Sequence, residues 1–350
     1  MSSADFILLP PVAVTDAMLT STNVPEALVT VYSSGTTYNL NDLAGVTVGT
    51  VQSVYKSQQA ANTGNTTVSN PAWWRLMGVV YAPYSVGATY AANDIVSSIV
   101  TNSHLLYKSV IASNTGNVLT DVTKWLPLGS TNAWAMFDAT YGSQTTNADS
   151  ISFVVTPAQL VNGLFFGNVS AASIVISQSI SGFTKTIPMA SHAVNNWYDW
   201  YYVPPVSVKD LAVVGNIPPY PTSALTVTIN NVGGIAACGL FAMGVGRIIG
   251  QTQWGLLAGI LSYSGTTTDA FGNTTFVKRA QAKKLNVNVK ITPGFEDEAY
   301  RLLTLATDIP IVVIATTDYQ IGAAYCYLGQ WQVPLSITGQ TAPIELKGLT

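Results

Sequence analysis

Two stretches of the 350-residue chain place aromatic side chains where they could do chemistry. In the first, Tyr55 and Tyr107 stand in matching Tyr-Lys-Ser triplets at a shift of 52 residues, and Trp73, Trp74 and Trp125 close the segments that contain them. An exposed aromatic plane takes the axial C–H face of a sugar ring, and little else in a shallow site gives comparable affinity. These five are therefore the candidate carbohydrate-binding residues. Trp73 and Trp74 are adjacent, and successive residues of a strand point to opposite faces, which would put one of the two rings outside. In the second stretch, Asn195 to Pro205, the residues Trp197, Tyr198, Trp200, Tyr201 and Tyr202 form the densest aromatic cluster of the chain. Read as a strand, Trp197, Asp199 and Tyr201 share one face and Tyr198, Trp200 and Tyr202 the other. Both faces are then covered, and the five aromatics are candidate interface residues, a setting in which Trp and Tyr are enriched.

Other chemistries lack their parts. A polysaccharide hydrolase needs two carboxylates facing each other across a groove, and the 17 Asp and Glu residues are scattered over turns and one helix start. Glu296, Asp297 and Glu298 are consecutive, so on a helix they diverge and serve its dipole rather than a shared proton or metal. His192 has no nucleophile or second histidine in a catalytic pattern, and His104, just before a strand, reads as a surface turn residue. Cys238 and Cys326 are far apart in apolar surroundings, as buried small hydrophobes are. With no metal-ligand spacing and no Gly-rich phosphate loop, the expectation is a chain that is not an enzyme, with no catalytic residues, metal or cofactor. A net charge of -3 leaves no basic footprint for nucleic acid. The most apolar region, Ile235 to Leu261, is broken by glycines and by Arg247, Gln251 and Gln253, so it reads as buried strands and not as the roughly 20-residue run of a membrane helix. The start, MSSADFILLPPV, lacks the basic residues and continuous apolar core of a secretion signal.

The elements that must position the first aromatic set are written twice. YSSGTTYNLNDL aligns with YSVGATYAANDI, and the same shift carries Asn62-Thr63-Gly64-Asn65 onto Asn114-Thr115-Gly116-Asn117. Each copy ends on tryptophan and glycine, Trp74 to Gly78 and Trp125 to Gly129, once a one-residue deletion is allowed in the second. Such self-similarity defines a module. Alternating runs bounded by Asn-Asp turns give short β-strands, hence two small three-stranded modules over residues 32–80 and 81–130. The order Tyr-x-x-x-Asp, Tyr-Lys-x, Asn-x-Gly-Asn, Trp resembles the carbohydrate-binding modules appended to bacterial chitinases. The resemblance implies sugar contact by the repeats. In those modules an exposed aromatic pair follows the tyrosine strand, whereas here Gln58-Gln59 and Val110-Ile111 follow it, which puts that particular sugar site in doubt.

Around the repeats the composition predicts three further parts. Residues 1–31, with Pro10-Pro11 and Pro25, form an extended arm ordered by packing on something else. Regular short strands across 131–246 predict a β-sandwich or jelly-roll, similar to the galactose-binding type of fold. Residues 247–350 predict a second β-sandwich with one helix at 293–307, capped by Thr292, started by Pro293 and carrying an apolar stripe of Phe295, Ala299, Leu302, Leu303 and Ala306. The fold class is thus mainly β and multidomain. The last hundred residues, through Thr275 to Arg279, the Phe295 to Ala306 helix and Ile344 to Thr350, resemble tail-tube and baseplate-ring proteins of tailed bacteriophages. Charged residues make up 9% of the chain against about 25% in ordinary domains, as suits a surface spent on neighbouring subunits. The expected function is a structural subunit of a bacteriophage virion, forming a symmetric ring in the tail, baseplate or collar. Its expected partners are copies of itself, other virion proteins and host-surface polysaccharide, with no nucleic acid and no membrane insertion. The alternative is a protein that serves primarily as a glycan-binding host adhesin.

Overall fold

The structure, a computed structural model, describes residues 4–67, 69–189, 196–202, 209–317, 319–335 and 340–349. His192 lies outside the described residues. The chain is mainly β and multidomain, the class that the strand and turn spacing implies.

Each repeat is a three-stranded antiparallel meander. Leu43–Val48, Val51–Ser57 and Trp74–Tyr81 form the first, and Ile95–Val100, Ser103–Ser109 and Trp125–Ser130 the second. The repeated residues explain why both copies fold alike. Asn41 (φ 73°) and Asn93 (φ 75°) take the left-handed backbone that asparagine tolerates. Beside them Asp42 and Asp94 accept hydrogen bonds from the Asn39 and Ala91 amides at 2.7 and 2.8 Å. Asn62 and Asn114, both buried, donate to the hydroxyls of Ser57 and Ser109 at 3.0 Å in each copy.

The sandwich is built around one long strand, Leu225–Gly244. Its first half pairs with Ser173–Gln178, its second half with Gly163–Ser170, and Thr145–Val155 runs along its other edge through both halves. A bulge between Ala148 and Asp149 bends the pair, and the two halves wrap a common core that includes Ile151, Phe153, Leu164, Ile174, Val227 and Phe241. Residues 236–243 are buried without interruption, because this half is covered on both faces. One face meets the sandwich core, and on the other Phe165, Leu240 and Ala242 pack against Val312, Ile314 and Tyr325 of the C-terminal part. Buried strand is thus the correct reading of the first part of that apolar run, whereas Trp254 and the strand Leu257–Ser262 at its end are exposed.

The C-terminal part is a closed antiparallel barrel. Its ring runs Arg247–Thr252, Ala4–Leu9, Ile311–Ile314, Ala323–Trp331, Gln340–Gly348 and Gln281–Ile291, and closes where Gln251 and Thr252 pair with Lys290 and Val289. Gly250 allows this closure, since a Cβ there would stand 2.4 Å from the Lys290 carbonyl oxygen. The expected arm therefore supplies a barrel strand: Phe6 and Leu8 are core residues, and Leu19–Thr22 adds a further strand to the sandwich. The helix spans Glu296–Leu305 and begins later than the sequence suggests. Gly294, at φ 86°, turns the chain first, and Phe295 occupies the cap position with no side-chain capping bond, so Thr292 does not cap. The expected stripe still faces the core, with Ala299, Leu303 and Ala306 buried and Phe295 and Leu302 packed against them.

Beyond the ring, Leu257–Ser262 continues along the edge of Gln281–Ile291. A hairpin of Gly265–Thr268 and Thr274–Val277 follows it, turned by Asp269, whose carboxylate accepts the Phe271 and Asn273 amides, and by Gly272 (φ 83°).

Candidate functional site

The repeat aromatics serve first as cores. In the first module Tyr32, Tyr38 and Trp74 meet with ring centroids 5.0 to 5.9 Å apart, and in the second Tyr84, Tyr90 and Trp125 repeat the arrangement at 5.2 to 6.1 Å. A module of this size has few other residues to bury, so its apolar interior is aromatic. The Trp74 indole donates to the Asn65 carbonyl oxygen at 2.9 Å and the Trp125 indole to that of Asn117 at 3.0 Å. Trp74 and Trp125 are buried, so neither presents a face to a sugar, a correction to their candidacy. Trp73 lies in the turn before the strand, not on it, and is half-buried against the same cluster. The argument that adjacent strand residues must diverge therefore does not reach it. Tyr55 and Tyr107 are half-buried on their module cores as well. The repeats bring these candidates together as scaffold, without a flat exposed pair.

The aromatic cluster of the sandwich is where exposure is found. Trp197–Tyr202 is a short α-helix and not a strand. Trp197, Tyr198, Trp200, Tyr201 and Tyr202 are each 67 to 75% exposed, where the strand reading had them covered. At helical spacing the pairs Trp197 with Tyr201 and Tyr198 with Tyr202 adjoin, with centroids 6.2 and 5.1 Å apart. Period-two reasoning could not see this, because a run of aromatics fits either period. Asn195 and Pro204-Pro205 fall outside the described residues.

A second exposed feature escaped the sequence reading. Trp254, Leu257, Ile260, Phe271 and Phe276 are 66 to 91% exposed along the barrel flank and its hairpin. The stretch from Trp254 to Val277 contains a single charged residue, Asp269. Beside it an open groove of about 400 Å³ is lined by residues including Leu257, Asn286, Asn288, Gln330, Trp331 and Glu345. The Trp331 indole donates to the Thr307 hydroxyl at 3.3 Å, and Lys284 pairs with Glu345 at 2.7 Å, which holds that carboxyl below its ordinary range.

The titratable groups are mostly structural. Glu298 forms a two-pronged pair with Arg301 on the helix surface, and this hydrogen bonding holds its carboxyl low. Burial pushes the thiols of Cys238 and Cys326 up to about 12. His104 is not a surface turn residue. It lies buried in its strand, stacked on Trp134 at 4.1 Å, with Nδ1 2.8 Å from Glu26 Oε1 and Nε2 2.8 Å from Asp16 Oδ1.

No family model matches the sequence, and no curated protein does. Among solved structures, this chain is similar to the CBM32-1 module of a family 31 glycoside hydrolase from Clostridium perfringens. The likeness has 15% identity and a TM-score of 0.21, and it covers 32% of this chain and 84% of that one. At that score the function has to be argued from this chain's own side chains.

Proposed function

We propose that the chain is a structural subunit that assembles with copies of itself through the flank of its barrel, as a ring component of a bacteriophage virion. The observation that carries this reading is the exposed, nearly uncharged edge from Trp254 to Val277. Natural proteins blunt free edge strands with charge, proline or cover, since a bare apolar edge pairs with whatever it meets. This edge has no proline and one charge, Asp269 in the hairpin turn, so a neighbouring subunit supplies the cover. An edge that meets a different surface of the next copy makes a heterologous contact, and such contacts close into rings when the rotation permits. The low charge of the whole chain and the order of strands and helix in its last hundred residues support the virion setting. Light scattering on the eluting chain at micromolar concentration tests the proposal. A discrete multimer that falls to monomer in an Ile260→Lys, Phe276→Lys double variant is expected, whereas a stable wild-type monomer would count against assembly.

A second reading, glycan adhesion, has its own observation in the five exposed aromatics of Trp197–Tyr202. Such rings can stack on sugars, and ring symmetry would multiply weak single sites into useful avidity. Binding on a glycan array that disappears in a Trp197→Ala, Trp200→Ala variant would support it. Binding to no glycan would remove it and leave the helix to a subunit contact.

A further inference from the structure

The two repeats are alike in sequence and yet are tied to the rest of the molecule by different chemistry at one matching position. Gln52 and His104 correspond under the repeat shift, and each is the second residue after the turn to pair back across the hairpin, Gln52 with Thr47 and His104 with Ile99. Both are buried, and both hold the N-terminal arm. Gln52 does so with a neutral amide: its oxygen accepts the Val29 N–H at 2.7 Å and its nitrogen donates to the Val29 carbonyl at 3.0 Å. Gly45 leaves the room for that amide, since a Cβ there would stand 2.3 Å from it.

In the second repeat the imidazole of His104 is placed between two carboxylates of the arm, Glu26 at Nδ1 and Asp16 at Nε2. A neutral imidazole has one N–H, so one of the two nitrogens would turn a lone pair toward a carboxylate oxygen. Only the doubly protonated ring donates to both. Its positive charge is also suited by the Trp134 face it stacks on. Around this centre the arm and the second repeat are joined further: Asp16 and Asn102 exchange amide hydrogen bonds at 2.9 Å, the Thr131 hydroxyl donates to Glu26, and the Thr131 amide donates to the His104 carbonyl at 2.9 Å. Among the described residues, Asp16 and Glu26 are the charged groups that meet the ring, and Thr131 and Trp134 bring none.

We propose that His104 makes the attachment of the second repeat a pH-operated clamp, while the first repeat, held by Gln52, stays attached across the same range. The clamp holds where the ring is protonated and both carboxylates are ionised. It loosens on the alkaline side as the imidazolium loses a proton, because Asp16 and Glu26 are then left facing a group that can satisfy only one of them. The first repeat has no imidazole in the matching place. Its charged ties to the sandwich, Arg75 and Lys56 with Asp149 at 3.3 and 3.9 Å, use a guanidinium and an ammonium in place of an imidazolium.

The 350-residue chain, which contains two histidines, allows a direct test. ¹⁵N spectra recorded across the pH series, with a His192→Asn variant to assign the signals, read the ring of His104 directly, and its imidazolium signals are expected to disappear together with the protection of the second repeat. A ring that is neutral throughout the series would overturn the proposal. Hydrogen exchange corrected for intrinsic rates should show protection of residues 103–109 falling with rising pH, by about tenfold per unit where one proton is linked, while residues 51–57 keep theirs. In His104→Gln, which copies the first repeat, the slope should vanish. If that variant does not fold, as judged by its near-ultraviolet dichroism, the wild-type contrast between the two repeats still decides. Equal slopes in both repeats, or none in either between pH 6 and 10, would refute the clamp.

Discussion

Trp74 and Trp125 illustrate how one residue type serves two readings. A tryptophan that closes a repeat could stack a sugar, but in a module this small the same ring is most of the core, and its N–H is spent on the Asn65 or Asn117 carbonyl. Truncating either to alanine should destabilise its module by roughly 3–5 kcal/mol, read as an earlier melting transition. Trp73→Ala, half-buried in a turn, should cost far less. The cysteines give a second check. With both thiols pushed up to about 12 by burial, almost no thiolate exists at pH 8, and the thiolate is the nucleophile. A disulfide reagent should label neither in the folded chain and both after unfolding. Asp16 gives a third. Its carboxyl is held below the ordinary value, first by the Asn102 amide and then, against a counteracting burial effect, by His104. Because the folded value is the lower one, this group stabilises the fold above the usual carboxylate range, and the stabilisation is lost as pH falls through the folded value. The melting-temperature gap between wild type and Asp16→Asn should therefore be open at pH 6 and close on acidification.

Elements differ in how much of themselves they disclose. The repeat strands are legible because each carries its own turn chemistry, an Asn-Asp start and a glycine or asparagine in the left-handed region. The helix near residue 300 is legible by its apolar stripe, while its start is not, because one glycine turn decides where the helical hydrogen bonds begin. The aromatic segment Trp197–Tyr202 is misread as a strand, since five aromatics in six residues fit a period of two as well as one of 3.6. The Gly265 to Val277 hairpin is turned locally by Asp269 and Gly272, but nothing local announces that its apolar side chains stay uncovered. That exposure yields its own expectation. Phe276→Lys lies on solvent in the isolated chain, so it should change monomer stability by less than about 0.5 kcal/mol in denaturant titrations, even as it weakens self-association.

The whole molecule is held together by its beginning. Residues 4–9 lie in the barrel between Arg247–Thr252 and Ile311–Ile314, residues 19–22 extend the sandwich, and Asp16, Glu26 and Val29 tie down the repeats. Deleting residues 1–9 removes Phe6, Leu8 and Leu9 from two cores and opens the ring of strands. The truncated chain should lose barrel protection to limited proteolysis while the small repeats keep theirs, whereas an unchanged digest would show that the arm is dispensable. The amino-acid order settled the duplication, the mainly β class, the inward helix stripe and the buried nature of both cysteines, because those follow from spacing and apolarity along the chain. It could not settle that the arm is a barrel strand, that His104 sits between two carboxylates from 78 and 88 residues away, or which aromatics stay in the open. Each of these depends on what distant segments bring to the same place, and burial is a property of that meeting, not of the residue.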